Sequence, residues 1–209
     1  MKAASVIRIL CVDDHHLIRE GIASVFGTLP DMELVAQASS GSEAIERYRQ
    51  YRPDVTLMDI SLPDLSGIDT TMAIRAEFPC ARIIMLTTAD GDAAVLRALE
   101  AGAWGYFLKT VPAEELVRAI RDVHGGKKRV QADLAARIAE HLGEERLSAR
   151  EIEILDYIAD GCNNGQIGER LSISEGTVKT HLRHIMAKLG ARHRTQVFTI
   201  ANRRGFLPH

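Results

Sequence analysis

The sequence predicts two domains of different class: a parallel α/β domain with five strands and helices on both faces, then an all-helical domain of four helices. Three observations lead there. Over the first ~125 residues, short apolar runs alternate with amphipathic helical stripes five times, and repeated βα units of this kind feed a parallel sheet. From Leu147 onward every segment carries a helical pattern and none reads as a strand. Charge divides at the same place: residues 1–125 hold 12 Lys and Arg against 18 Asp and Glu, whereas residues 146–209 hold 10 against 6. An acidic front and a basic back imply two tasks, the second suited to a polyanion.

Each element follows from its pattern. The strand-like runs are Val6–Val12, Leu34–Ala38, Val55–Met58, Arg82–Thr87 and Gly105–Leu108. Leu17, Ile18, Ile22, Val25 and Phe26 recur at helical spacing after the first, Ala44, Ile45 and Tyr48 after the second, and Val95, Leu96, Leu99 and Ala103 after the fourth. Leu116, Val117 and Ile120 mark the last helix of this domain, entered through Pro112 with Val111 as its expected cap. His124 to Arg129 breaks that helix, and a short helix over about 132–142 lies in the linker. In the second domain, Ser148 with Glu151 forms a capping box before Ile152, Ile154, Leu155 and Ile158. Gly161 ends that helix. A short helix over Asn164–Leu171, the turn Ser172-Ile173-Ser174, a longer helix over Glu175–Leu189 stopped by Gly190, and a final helix over Arg194–Arg203 complete it. The domains are expected at 1–124 and 147–209, joined by residues 125–146.

Composition removes several classes. At 209 residues and 46% hydrophobic content the chain can bury a full core. No apolar run approaches the ~20 residues of a membrane span. Met1–Ser5 passes directly into a strand, so no signal peptide is expected. Three scattered cysteines, Cys11, Cys80 and Cys162, fit free thiols of a reducing cytoplasm, with Cys11 in the core. His15, His16, His184 and His193 show no metal-ligand spacing.

The chemistry collects at strand ends. Asp13 and Asp14 end the first run, Asp59 the third, Thr87 the fourth and Lys109 the fifth. In parallel sheets of this type ligands bind outside the carboxyl ends of the strands. Three carboxylates at ~4 Å would repel by several kcal/mol at low effective dielectric. A divalent cation offsets that, and Mg²⁺ favours such hard oxygen donors.

The residues Val12-Asp13-Asp14-His15, Asp59 followed by Pro63 and Gly67, Thr87, and Gly105-Tyr106-Phe107-Leu108-Lys109 together resemble the receiver domain of bacterial two-component response regulators, a flavodoxin-like fold. The resemblance implies that Asp14, Asp59 and the backbone carbonyl of Ser61 bind Mg²⁺ directly and Asp13 through a water. It implies that Asp59 is the nucleophile that becomes an aspartyl phosphate, with Lys109 and the cation stabilising charge on the phosphoryl oxygens. Thr87 and Tyr106 resemble the family's switch pair, Tyr106 swinging inward as Thr87 binds a phosphoryl oxygen. Thr110 stands where the family often has proline, which leaves the geometry of the Lys109–Thr110 bond open. Ser61 and Ala89 stand where larger polar groups align a hydrolytic water in other members, so slow loss of the phosphoryl group is expected.

Leu147–Leu207, above all Ser172-Ile173-Ser174-Glu175-Gly176-Thr177-Val178-Lys179-Thr180-His181 and Lys188-Leu189-Gly190, resembles the LuxR-type helix-turn-helix domain. With the receiver it defines the NarL/FixJ subfamily. Val178, Leu182, Ile185 and Leu189 take the core side of the recognition helix. Lys179, Thr180 and Arg183 take the other side and are the candidates for base edges, with Thr177 and His181 for phosphates. The resemblance implies that part of the apolar final helix pairs with a second copy in a homodimer, with Val197 as the candidate contact and burial of Val197 within its own domain as the alternative. Gly165-Gln166 and Gly168 depart from the Lys-Glu and Ala common in the scaffold helix, which predicts a looser helix.

The expected function is a cytoplasmic, phosphorylation-regulated, double-stranded-DNA-binding transcription regulator. A sensor histidine kinase would phosphorylate Asp59, and the shifted receiver would promote dimerisation and operator binding. An aspartate-nucleophile phosphatase is the competing enzyme class. It needs a second Asp two residues beyond the nucleophile, where this chain has Ser61. A phosphorylation-independent DNA binder with a vestigial receiver is the third alternative.

Overall fold

The computed structural model describes residues 6–88, 92–132, 134–135, 147–204 and 206. They form one α/β unit and one all-helical unit. The helix expected over 132–142 lies almost wholly outside the described residues.

The α/β unit is a parallel sheet in the order β2-β1-β3-β4-β5-β6. Its strands are β1 (Ile7–Val12), β2 (Met32–Ala38), β3 (Val55–Asp59), β4 (Ile83–Thr87), β5 (Gly105–Leu108) and β6 (Arg129–Val130). Five helices connect them: α1 (His16–Gly27), α2 (Gly41–Tyr51), α3 (Gly67–Glu77), α4 (Asp92–Glu100) and α5 (Ala113–His124). Strand order reverses between β1 and β3, which opens a crevice at their carboxyl ends. The period of two along each strand divides the side chains. Ile7, Ile9, Val55, Leu57, Ile84, Leu86 and Phe107 pack with Phe26 of α1 and with Leu116, Val117, Ile120 and Val123 of α5. Met85 alternates to the other face, where the Thr71 hydroxyl of α3 reaches its sulfur at 3.5 Å. Tyr106 pairs in register with Met85, so it shares a sheet face with Met85 and Thr87.

Three local features differ from the sequence expectation. Among the described residues the sheet has six strands, because Arg129 and Val130 pair in parallel with Gly105 and Tyr106. Two residues carry no period to read, so this strand looked like linker. It is held by Gln131, whose N–H donates to the Tyr106 carbonyl and whose Oε1 accepts from Leu108 N–H, both at 3.1 Å. The N-cap of α5 is Pro112 rather than Val111. Helix α3 buries Thr70, Thr71 and Ile74, too few apolar groups to announce a stripe.

The helical unit contains α6 (Ala149–Ala159), α7 (Asn164–Leu171), α8 (Glu175–Leu189) and α9 (Arg194–Arg203). Leu147, Ile154, Leu155, Ile158, Ile167, Val178, Ile185, Leu189, Val197 and Ala201 share its core. Ser148 and Glu151 complete the expected capping box on α6. Helix α7 has a second one, in which Asn163 accepts from Gln166 N–H and Gln166 Oε1 accepts from Asn163 N–H. Gln166 therefore fulfils a capping role. Gly168 is buried against the turn: a β-carbon there would lie 2.7 Å from the Ile173 carbonyl oxygen. Gln166 and Gly168 thus serve a cap and a close approach, respectively.

Candidate functional site

Four of the strand-end residues converge outside the carboxyl edge of the sheet. Asp59 ends β3 and is 2% exposed. Gly67 allows its placement, because the first turn of α3 lies directly on the Asp59 backbone and a β-carbon on Gly67 would fall 1.9 Å from the Asp59 carbonyl oxygen. Gly67 N–H also donates to the Ile60 carbonyl at 2.8 Å, closing the loop between β3 and α3. Asp64 in that loop accepts from Gly41 and Ser42 N–H at 2.7 and 2.9 Å and from the Ser42 hydroxyl at 2.6 Å. The loop is thus stapled to the amino end of α2, where a carboxylate meets unpaired N–H groups.

Lys109 reaches both buried acids, its Nζ lying 2.7 Å from Asp13 Oδ2 and 2.8 Å from Asp59 Oδ2. Among the described residues no peptide bond is cis, so Lys109–Thr110 is trans. The lysine needs no proline after it to make these contacts. Burial pushes the Asp59 carboxyl up, and Asp13 adds to that against the pull of Lys109. Burial would lower the Lys109 ammonium, but the hydrogen bonds and charges of Asp13 and Asp59 reverse the sign and hold it above its ordinary value. Burial likewise pushes the Cys11 thiol up to about 12, so it stays a neutral core group.

The opening of the site is formed by Asp14 and His15, both exposed. His15 Nδ1 lies 2.6 Å from Asp14 Oδ1 and 3.2 Å from Asp13 Oδ1, and His15 N–H donates to Asp13 Oδ1 at 2.9 Å. Donor atoms of Asp13, Asp14, His15 and Asp59 all lie within 4.8 Å of one another. Sequence spacing gave no hint of the histidine, because its partners come from β3 as well as from its own segment. The cluster suits a divalent cation. Its donors are mainly hard carboxylate oxygens, and two of the acids, Asp13 and Asp59, are buried with the single charge of Lys109 between them. Ser61 N–H is 3.3 Å from Asp59 Oδ1, a long hydrogen bond.

Thr87 ends β4 and is buried, while its neighbour Thr88 is exposed. Tyr106 is 0% exposed. The ring of Tyr106 is thus wholly buried in this structure. Its place next to Met85 in the sheet explains the burial. Ala89 lies outside the described residues.

On the helical unit, Ser172 at φ 54° turns the chain between α7 and α8, and Ser174 caps α8 by accepting from Thr177 N–H at 3.0 Å. Val178, Ile185 and Leu189 point into the core. Thr177, Lys179, Thr180 and Arg183 are exposed, and His181 is half-buried. Lys179 pairs with Glu175 at 2.9 Å, an exposed i,i+4 contact worth under ~1 kcal/mol and readily exchanged. Val197 is 0% exposed and belongs to the core of its own domain, which corrects its assignment to a dimer contact. The exposed apolar residue of α9 is its neighbour Phe198, at 42%.

Among the described residues no helix is long and apolar enough to cross a membrane. Residues 9–121 match the response regulator receiver domain, and residues 145–201 match the bacterial regulatory proteins of the luxR family. The chain is 39% identical to the transcriptional regulatory protein LiaR of Bacillus subtilis, covering 95% of this chain and 98% of that one. To LnrK of the same organism, also a transcriptional regulatory protein, it is 36% identical over 96% and 98% of the two chains. The crystal structure of ChrA, the response regulator of a heme-sensing two-component system, is 37% identical and superposes with a TM-score of 0.57 over 98% of this chain and all of that one. RcsB of Salmonella enterica serovar Typhimurium, bound to the promoter P1flhDC with the phosphomimetic BeF3−, is 25% identical with a TM-score of 0.72 over 93% and 97%. Strand-end acids facing one lysine and an exposed, basic second helix of a helix-turn-helix thus occur in a chain that belongs to the two-component response regulators of the NarL/FixJ type, transcription regulators that join a receiver to a LuxR-type DNA-binding domain.

Proposed function

We propose that Asp59 accepts a phosphoryl group from a histidine of a sensor kinase, and that this acyl phosphate promotes dimerisation and operator binding. The observation that carries the reading is the ion-paired arrangement of Lys109 Nζ between Asp13 and Asp59, beside a cluster of further donors at the site's mouth. A carboxylate oxygen of Asp59 forms the new O–P bond as the P–N bond of the donor breaks. The electron pair returns to the donor imidazole, which takes up a proton. Lys109 compensates charge on the transferred group in a site where water no longer screens it. Asp14, Asp59 and the Ser61 carbonyl, with Asp13 through a water, would hold Mg²⁺, which would supply further positive charge to the phosphoryl oxygens. Thr87 accommodates one of those oxygens and acts with Tyr106 as the switch. Small groups at Ser61 and Ala89 make the acyl phosphate long-lived.

At the DNA, Lys179, Thr180 and Arg183 read base edges, while Thr177 and His181 contact phosphates. Phe198 takes the dimer role first assigned to Val197. We place the domains at 1–124 and 147–209, with residues 125–146 linking them, and the protein in the cytoplasm.

Treatment with a small phosphodonor and Mg²⁺, followed by intact-mass measurement, tests the central claim. The expected result is a gain of one phosphoryl group that Asp59→Ala abolishes, accompanied by tighter DNA binding. Equal DNA affinity of Asp59→Ala and the phosphorylated protein would refute the coupling. Decay of the modified mass within seconds at neutral pH would refute the long lifetime.

A further inference from the structure

We propose that His15 is itself a ligand at the acidic site and tilts its preference from Mg²⁺ toward a first-row transition cation such as Mn²⁺. The inference rests on reading Asp13, Asp14 and Asp59 as a cation site. It assigns a nitrogen donor to a site otherwise built from oxygen.

The backbone prepares the imidazole for this role. His15 occupies the N-cap of α1 with extended φ and ψ of −81° and 109°, yet its side chain makes no capping bond to that helix. Its Nδ1 instead lies within 3.2 Å of oxygens of both Asp13 and Asp14. Donor atoms around a single cation with bonds of about 2.1 Å sit no further apart than roughly 4.2 Å. The observed limit of 4.8 Å across Asp13, Asp14, His15 and Asp59 therefore calls for a small contraction. The outer pair can supply it, since the His15 side chain is 65% exposed and that of Asp14 38%. Asp13, by contrast, is fixed and buried, with Oδ2 paired to Lys109. Its other oxygen, Oδ1, faces the imidazole at 3.2 Å.

The chemistry then separates two cations of equal charge. Mg²⁺ is hard, dehydrates reluctantly and favours oxygen donors. Neutral imidazole adds more to the binding of first-row transition ions than to that of Mg²⁺, with Mn²⁺ gaining least among them, and Mn²⁺ keeps the carboxylate donors that Mg²⁺ would use. A histidine that merely oriented Asp14 by a hydrogen bond would leave no nitrogen bound to the ion.

Pulsed electron paramagnetic resonance of the full-length protein with Mn²⁺ alone makes that distinction, and the signal of free Mn²⁺ gives the affinity. Mg²⁺ affinity follows by competition. The expected result is nitrogen coupling from a directly bound imidazole, lost in His15→Ala together with about tenfold in Mn²⁺ affinity, while Mg²⁺ affinity changes less than about twofold. His15→Asn, which keeps a polar group, should show the same loss of coupling. An unchanged melting curve for either variant establishes that the fold is intact. Bound Mn²⁺ without nitrogen coupling, or equal Mn²⁺ affinity in wild type and His15→Ala, overturns the inference and leaves the cation site standing. Failure of the wild type to bind either ion overturns both.

Discussion

Gly67 shows how one missing methyl group fixes the geometry of a site. Its α-carbon lies so close to the Asp59 carbonyl that any side chain would displace the backbone of the acid itself. Gly67→Ala is expected to cost about 1–3 kcal/mol of stability from overpacking. It should slow phosphoryl uptake by far more than a neighbouring surface change such as Asp69→Asn. Urea unfolding and intact-mass kinetics check the two parts separately. Asp64 supports the same loop by charge. Hydrogen bonds from the Ser42 hydroxyl and N–H and from Gly41 N–H hold its carboxyl well below the usual range. A depressed carboxyl stabilises the fold fully above its unfolded value near ~4, and the contribution fades as pH falls toward the native value. The melting temperature of wild type should therefore exceed that of Asp64→Asn by a constant margin from pH 7 to 5 and converge on it below about pH 4. A margin that widens on acidification would contradict the assignment. At this scale the residue types of the acidic site were legible in the sequence, because each acid or base closes an apolar run. The burial of Tyr106 and of Val197 was not, because each depends on which neighbour the tertiary fold brings beside it.

Elements show the same division with a different cause. Strands β1, β3, β4 and β5 are long enough to display their apolar runs, and the amphipathic α1, α2 and α5 display their stripes. Helix α3 buries threonines whose hydroxyls find partners at Ser66 O and Met85 Sδ, so hydrophobicity alone under-reports it. Helix α7 poses the sharper question, since glycine at position 168 lowers helix propensity by ~1 kcal/mol. Propensity predicts that Gly168→Ala stabilises the domain. The 2.7 Å approach to the Ile173 carbonyl predicts the reverse, because the turn into α8 must open to admit the methyl. We expect a net loss of about 1 kcal/mol in chemical unfolding, with weakened DNA binding as α8 shifts. A gain in stability would show that the turn yields freely. Glu151 joins two elements at once, accepting from Ser148 N–H at 2.7 Å and pairing with Lys188 Nζ of α8 at 2.8 Å. Its carboxyl is held below the ordinary value, since the Lys188 and Ser148 hydrogen bonds outweigh the opposing effect of burial. Helix α8 thus owes its position partly to a capping residue of another helix.

For the whole molecule, the acidic front falls in the receiver and the basic back in the luxR-family domain, and the +4 excess of residues 146–209 is modest for duplex binding by a single copy. Two copies reading two half-sites would double the phosphate contacts, which would make association central to affinity. Neighbouring residues of α9 separate association from folding. Val197 is fully buried, and Val197→Ala should cost about 1–3 kcal/mol of stability by leaving a cavity. Phe198 is exposed, so Phe198→Ser should change stability by less than about 0.5 kcal/mol. If Phe198 meets a second copy, that substitution lowers affinity for a two-half-site operator, removes cooperativity and shifts the phosphorylated protein toward monomer in sedimentation. Affinity for an isolated half-site stays the same, because Lys179, Thr180 and Arg183 lie on α8 and remain in place. Retained cooperativity in Phe198→Ser would move the dimer contact off this helix, whereas a loss of half-site affinity would mean that Phe198 supports the DNA-reading surface of its own domain.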